Sequence, residues 1–409
     1  MLSVLVFTLL LLEQQQPPAP TGRLQVFLDC SDCFADYLRE ETDFVDFVRD
    51  RTQATVHVII TNTGTASGGL EYVLAFIGQG AFSGQDTTLK AVTQTGDPED
   101  VRRQQLLTTL RIGLLSYLAR VGVPQGLQLD VELPPSAQAP GARQDPWNYW
   151  VFSVRGSASF NGEESAEARE VRAEISADRI TLDWKLTFGF EIEDEVQEFD
   201  LDEEEPIETI RRQRDFDSLI VKALGEHWSL GARGTIESST FDNISLRVEA
   251  APAIEFNFFP YSAYQRRQLR SQYAAGVRAQ RYFEETLYGK TSEVLPAHEL
   301  SVTYDQREQW GSVEGNIEWF QYLHDLSKSR LEANGEISWR ILRGLSISAD
   351  ASASRIRDQI SLRSRGATDE EILLRLRELQ SGYEYDFSLS ITYTFGSIFS
   401  SIVNPRFGQ

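Results

Sequence analysis

YEYDFSLSITYTFG, residues 383–396, decides how the rest of the chain is read. Tyr383, Tyr385, Phe387, Leu389, Ile391, Tyr393 and Phe395 alternate with Glu384, Asp386, Ser388, Ser390, Thr392 and Thr394. Successive side chains of a strand point to opposite faces, so this is a β-strand with one apolar and one polar face. Aromatics stand at both ends of the apolar face and aliphatics between them, which is the pattern of a strand that crosses a bilayer.

The alternation recurs upstream. Trp150, Phe152, Val154, Ala158 and Phe160 share one face, as do Val171, Ala173 and Ile175, and then Ile180, Leu182, Trp184, Leu186, Phe188, Phe190 and Ile192. Residues 207–224 match least well, because Arg211, Arg212 and Arg214 obscure the phase. Further apolar sets begin at Trp228, Ile244, Leu269, Leu300, Val313, Leu331 and Leu345. The expectation is an antiparallel transmembrane barrel of about 12 strands over residues 147–397, with the last strand closing against the one that begins near Trp150. Expected turns at 177–179, 224–227, 307–311 and 343–344 are tight. The segments 193–208, 282–299 and the helix-like 366–381 read as longer outer loops, and the corner at 256–267 is placed on the periplasmic side.

If the apolar faces meet lipid, the alternate positions face a lumen. Early and middle strands then place Arg155, Arg172, Arg233, Arg247, Arg270 and Arg278 inside. Late strands place Glu314, Glu318, Glu332, Glu336, Asp350, Glu384 and Asp386 there. A basic wall would oppose an acidic one. Paired charges would fill a narrow interior, which is the favoured reading; unpaired ones would border a water-filled constriction.

Residues 24–133 have mixed periodicity. LQVFLD (24–29) reads as a buried strand, a helix is expected over 33–50, and strands over 55–61, 70–78 and 87–95. Asp97 and Pro98 open a second helix whose buried stripe is Leu106, Leu107, Leu110, Leu114 and Leu118. The order is that of a small α/β sandwich with two helices on one side of a sheet. Residues 134–146, rich in Pro, Gly and Ala, form a linker. Residues 1–20 read as a secretory signal, with the apolar run MLSVLVFTLLLL at 1–12, and 398–409 as a C-terminal tail.

Cys30 and Cys33 are the only cysteines. At a strand-to-helix junction they could be a redox pair, free thiols or half of a metal site. The flanking Asp29 and Asp32 would raise a thiol pKa, so a short structural disulfide is favoured in an exported protein. The formal net charge of −22 argues against nucleic acid as a partner. Gly-rich TNTGTASGG (61–69) lacks the lysine of a phosphate loop. His324, Asp325 and Ser327 are too close in sequence to converge as a catalytic triad, and His57 reads as a packed or surface residue. No motif implies a metal or cofactor, and no enzymatic activity is expected.

The head resembles, in element order, the amino-terminal domain of the periplasmic protein TolB and the core of the curli secretion channel family. That likeness implies docking to a periplasmic protein through residues 24–133. The motifs FLDCSDC, FNFFPYSAYQRRQLRSQY, YFEETLYGKT, QWGSV, YLHDLSKSRL, SRIRDQISL, DEEILLRLRELQSGY and TFGSIFSSIVNPRF resemble an uncharacterised family of outer-membrane barrels with a soluble N-terminal head. SGYEYDF (381–387) is similar to the signal read by the barrel assembly machinery, although it lies short of the C-terminus. The resemblance implies an outer-membrane location among outer-membrane lipid, a periplasmic head and no assigned chemistry. The expected function is therefore a non-enzymatic barrel docked onto another envelope component. The alternatives are a narrow porin-like channel for small polar solutes and, last, an outer-membrane hydrolase.

Overall fold

A computed structural model of the chain describes residues 23–30, 33–65, 68–94, 96–121, 145–199, 207–264, 266–342, 345–366 and 377–395. The expected signal, most of the linker and the C-terminal tail lie outside them. The chain divides into two compact units, a head and a large sheet.

The head contains β1 (Gln25–Asp29), α1 (Ala35–Glu40), β2 (Asp46–Phe47), β3 (Val56–Gly64), β4 (Leu70–Gly78), β5 (Thr87–Val92) and α2 (Glu99–Val121). Its sheet has the order β2-β1-β3-β4-β5, with β1 parallel to β2 and β3 and the other pairs antiparallel. Val26, Leu28, Val56, Val58, Leu74 and Phe76 pack on the expected stripe of α2, to which Tyr117 is added. Burial, reinforced by the Asp86 charge, pushes the Tyr117 hydroxyl up to about 12. Gly113 is where α2 meets the sheet most closely: a Cβ there would lie 2.0 Å from the Phe76 ring.

The helix expected over 33–50 is far shorter. Its chain turns out at Glu41, whose N–H closes on Tyr37, and Asp46 and Val48 then donate to the carbonyls of Leu24 and Val26. Val45, Phe47 and Val48 are buried there in extended chain, a conformation that suits β-branched residues beside an open strand edge.

The second unit is one antiparallel sheet of twelve strands, each paired with its neighbours in sequence. They are β6 (Trp150–Glu163), β7 (Ala166–Ile180), β8 (Trp184–Phe199), β9 (Ile207–Ala223), β10 (Trp228–Ser239) and β11 (Ile244–Asn257). There follow β12 (Arg267–Tyr282), β13 (Ser292–Glu308), β14 (Gly311–Tyr322), β15 (Ser329–Leu342), β16 (Leu345–Ile356) and β17 (Tyr383–Tyr393). The strand number matches the expectation. The expected closure is not formed: among the described residues β6 and β17 are unpaired edges of the sheet.

Three expected connections are displaced. The turn read at 177–179 lies at 181–183, because Ala177 and Arg179 stay on the ladder opposite Phe188 and Leu186 while Thr181 bonds back to Trp184. The acidic segment 193–208 is strand up to Phe199 and again from Ile207, and 282–299 is strand from Ser292. In the first case the apolar face carries Asp194, Glu198, Glu208, Arg212 and Arg214, with Arg214 donating to Asp194 at 2.7 Å and 2.8 Å. β8 and β9 therefore run beyond the apolar band, with charged residues on both faces there. The expected asymmetry of connections holds in its extremes: β16 ends at Ile356 and β17 begins only at Tyr383 at one end of the sheet, whereas β13 and β14 are joined by the tight 309–310 at the other.

Candidate functional site: the polar face of the sheet

Strand register assigns every side chain to a face. Leu230, Ile254, Tyr273, Leu300, Trp319, Leu331 and Arg355 follow one another through successive pairings, as do Ala353 and Tyr385. These lie on the apolar face, which is exposed along its length; Val154 is 79% and Phe387 64% accessible. Trp150, Trp184, Trp228, Trp339 and Tyr393 mark its short-turn end, whereas Phe160, Trp319, Tyr383 and Tyr385 mark the other.

All thirteen charges expected to face a lumen lie on the opposite, polar face. The register sets Glu237 against Arg247 and Glu249 against Arg278, then Ser301 against Glu318 and Asp305 against Glu314. It continues with Glu314 against Glu336, Glu318 against Glu332, Glu336 against Asp350, Ser352 against Asp386 and Ser354 against Glu384.

Their arrangement differs from two opposed walls. Each expected arginine has a carboxylate within its own neighbourhood: Arg155 meets Glu174 at 3.6 Å, and Arg172 meets Glu170, Glu191 and Glu193. Arg247 meets Glu237 at 2.8 Å, Arg270 meets Glu255 at 3.5 Å and Arg278 meets Glu249 at 2.7 Å. Arg233 crosses two intervening strands to bind both oxygens of Glu299 at 2.6 Å. On a flat sheet those strands would stand about 14 Å apart, so the sheet curls with its polar face concave. Small residues allow the pinch: Ala251 and Ala274 are buried beneath the pair, and a Cβ on Gly276 would lie 2.2 Å from the Ala250 carbonyl oxygen. Arg278 is held further by the Tyr322 hydroxyl at 3.1 Å and lies over the Phe320 ring at 4.4 Å.

The late strands are not compensated in this way. Glu314 has Arg307 at 2.7 Å and Glu332 has Arg330 at 3.2 Å. Glu318, Glu336, Asp350, Glu384 and Asp386 have no ion pair among the described residues. Asp305, Glu314, Glu336, Asp350 and Asp386, with Asn316 and Asn334, line an open cavity of about 420 Å³. The six expected arginines on the polar face of β6 to β12 are thus each paired, whereas five of the expected carboxylates from β14 to β17 are not; Asp215 and Asp217 of β9 also have no ion pair among the described residues.

The sequence reading missed a second feature. The chain after β16 folds back onto the polar face rather than standing clear of it. Ile360 packs with Leu295, Ala297, Phe320 and Tyr322, all polar-face residues of β13 and β14. Asn243, in the 240–243 connection, donates its amide to the carbonyls of Glu284 at 3.0 Å and Ser361 at 2.8 Å. Arg363 donates to the Thr240 carbonyl at 2.6 Å and pairs with Glu284 at 2.9 Å. Gln359 bonds Glu378 and the Leu379 carbonyl, each at 2.9 Å. Burial pushes the Glu378 carboxyl up; the Asp242 charge adds to this, and the Gln359 and Ser361 bonds oppose it. The available signal is the pair Ile360 and Leu362, apolar residues outside any strand. Residues 367–376, read as helix-like, lie outside the described residues.

The remaining candidates have defined places. Cys30 and Cys33 are joined in a disulfide. His57 is fully buried, 3.0 Å from Asp29 and edge-on to Phe27. Asp325 accepts from the Ser327 N–H at 2.9 Å and hydroxyl at 2.7 Å, which holds its carboxyl below the usual range. His324 is turned to the Tyr322 ring and bonds neither residue, so these three groups form a turn and not a triad. TNTGTASGG falls at the β3–β4 hairpin. No group of three or more metal-ligating side chains occurs among the described residues.

No protein-family model matches the chain, and no curated protein matches it. Among solved structures, the NanC porin is 9% identical and aligns over 60% of this chain and 100% of its own, with a TM-score of 0.30. A Pseudomonas aeruginosa FadL homologue is 10% identical over 60% and 75%, with a TM-score of 0.26. The translocator domain of the autotransporter NalP from Neisseria meningitidis is 9% identical over 60% and 87%, with a TM-score of 0.23. The fold described above rests on the strand ladder itself, and the head's likeness to TolB rests on element order alone.

Proposed function

We propose that the chain is an outer-membrane β-barrel protein that provides a narrow, cation-preferring passage for small polar solutes. The observation that carries this is the division of one twelve-stranded sheet into an exposed apolar face and a concave charged face whose late strands hold uncompensated carboxylates. A continuous apolar face of this extent is unfavourable in water at roughly 25 cal/mol per Å², and lipid removes that cost. Hydrocarbon cannot satisfy the open backbone edges of β6 and β17, so in a bilayer those edges pair. Their apolar residues already lie on the same side of the sheet. The folded-back segment at 357–366 narrows the concavity at the end with the longest connection.

The test is planar-bilayer recording of the full chain folded from detergent. Small steps with a reversal potential favouring cations are expected, and Glu336→Gln should reduce that preference while the protein remains folded. A bilayer as silent as one without protein, or an anion preference, would count against a passage. The secondary reading, docking through the head, is supported by that unit's own compact core. Envelope crosslinking tests it: adducts from residues 24–133 to one protein are expected, and their absence would remove it.

A further inference from the structure

Beside the folded-back segment lies a cleft of about 780 Å³ with a composition unlike the rest of the chain. The sequence carries 61 Asp and Glu against 39 Lys and Arg, yet this cleft is lined by Lys328, Arg355 and Arg357 and by no carboxylate among the described residues. The Lys328 ammonium lies 4.1 Å from the centroid of the Tyr288 ring and donates to its hydroxyl. The Arg355 and Arg357 side chains have no ion pair among the described residues. Between the three cations are neutral hydrogen-bonding groups, among them Gln359, Gln380 and Ser381.

Position separates this cleft from an ordinary anion site. Arg355 is register-paired with Leu331 and Tyr383, on the apolar face one residue before β16 ends. The cleft thus opens where the apolar band gives way to the connections, with Tyr383 at the boundary. That is the level at which cationic and amphipathic aromatic side chains meet lipid headgroups. Guanidinium groups bind phosphate through parallel charge-assisted bonds, and a basic pocket at a membrane surface is a headgroup site by the same chemistry.

We propose that the cleft binds the phosphorylated, hydroxyl-rich headgroup of a membrane lipid. Lys328, Arg355 and Arg357 take the phosphate, and the Gln380 side chain takes a hydroxyl. This rests on the apolar face being the lipid-facing one.

The full chain in detergent is titrated with a bis-phosphorylated diglucosamine lipid, with the same lipid dephosphorylated, and with inorganic phosphate. The wild type should bind the phosphorylated lipid about tenfold more tightly than either alternative. Arg355→Gln with Arg357→Gln should remove that preference, whereas Arg155→Gln, on the polar face of β6, should leave it intact. If the double variant loses the heat-modifiable mobility of a folded barrel, Lys328→Gln, on an exposed connection, replaces it. Unchanged preference in the folded variant would overturn the site. Inorganic phosphate binding as tightly as the lipid would overturn the lipid assignment. A monodisperse chain in buffer without detergent would instead contradict the lipid-facing reading, and the phosphate arm would show that separately.

Discussion

Arg233 of β10 and Glu299 of β13 are bound through two parallel 2.6 Å contacts across two intervening strands. The pair fastens the curl of the sheet, and Glu249, 3.6 Å from Arg233, links it to the Arg278 cluster. Both side chains are largely shielded. Removing one partner leaves the other charge without its counterion, which costs more than the net worth of the pair. Arg233→Gln or Glu299→Gln should each lower unfolding stability in detergent by about 2–3 kcal/mol, and the double replacement should cost less than the sum. Urea titration of the four variants checks this. Additive losses would show that the contact does not fasten the curl.

Asn243 anchors the folded-back segment. Its backbone is in the left-handed region, φ 62°, which asparagine tolerates, and its side chain also accepts from the Glu284 N–H at 2.9 Å. Asn243→Ala removes three bonds at a buried site and keeps an unfavourable φ, so docking should weaken by about 2–3 kcal/mol. Hydrogen exchange should show faster labelling of residues 359–364, with strands β13 and β14 unchanged. Equal protection in the variant would mean that Ile360 packing holds the segment alone.

Glu378 makes that docking depend on pH. Burial is the main cause of its raised carboxyl pKa, Asp242 adds to it, and Arg330 acts the other way. Because the docked pKa exceeds that of the free segment, protonation favours docking. The contribution is complete below the ordinary carboxylate range and is lost as pH rises through the raised value. Exchange at residues 359–364 should therefore quicken with rising pH beyond the intrinsic chemical rate, and Glu378→Gln should abolish the excess. The same excess in the variant would assign it to another group.

Much of this architecture was legible in alternation alone. Residues 383–393 read correctly because nothing interrupts their period of two, and the polar-face positions of Arg233, Glu336 and Asp386 follow from the same parity. The β8–β9 hairpin was misread because alternation records an apolar neighbour, and Asp194, Arg212 and Arg214 lie past the apolar band. The ion pairs were not legible, since parity gives the face of a residue and not its partner three strands away. The fold-back at Ile360 was missed for a related reason: its stabilisation comes from residues on β13 and β14 that are distant in sequence. In the head, Val45 and Val48 fit the helix expected over 33–50, but the open edge of β1 pairs this stretch in extended chain.

Closure of the sheet in a membrane is the central claim, and disulfide trapping tests it most directly. Ser153 on β6 lies on the polar face with Ser388, Ser390 and Thr392 of β17. A cysteine at Ser153 is combined in turn with one at each of these three positions, in chains carrying Cys30→Ser and Cys33→Ser and inserted into vesicles. If β6 and β17 pair, one combination should crosslink rapidly within a single chain and the others less, because antiparallel register selects one opposite residue. Crosslinks between chains only, or none in any combination, would contradict a closed barrel.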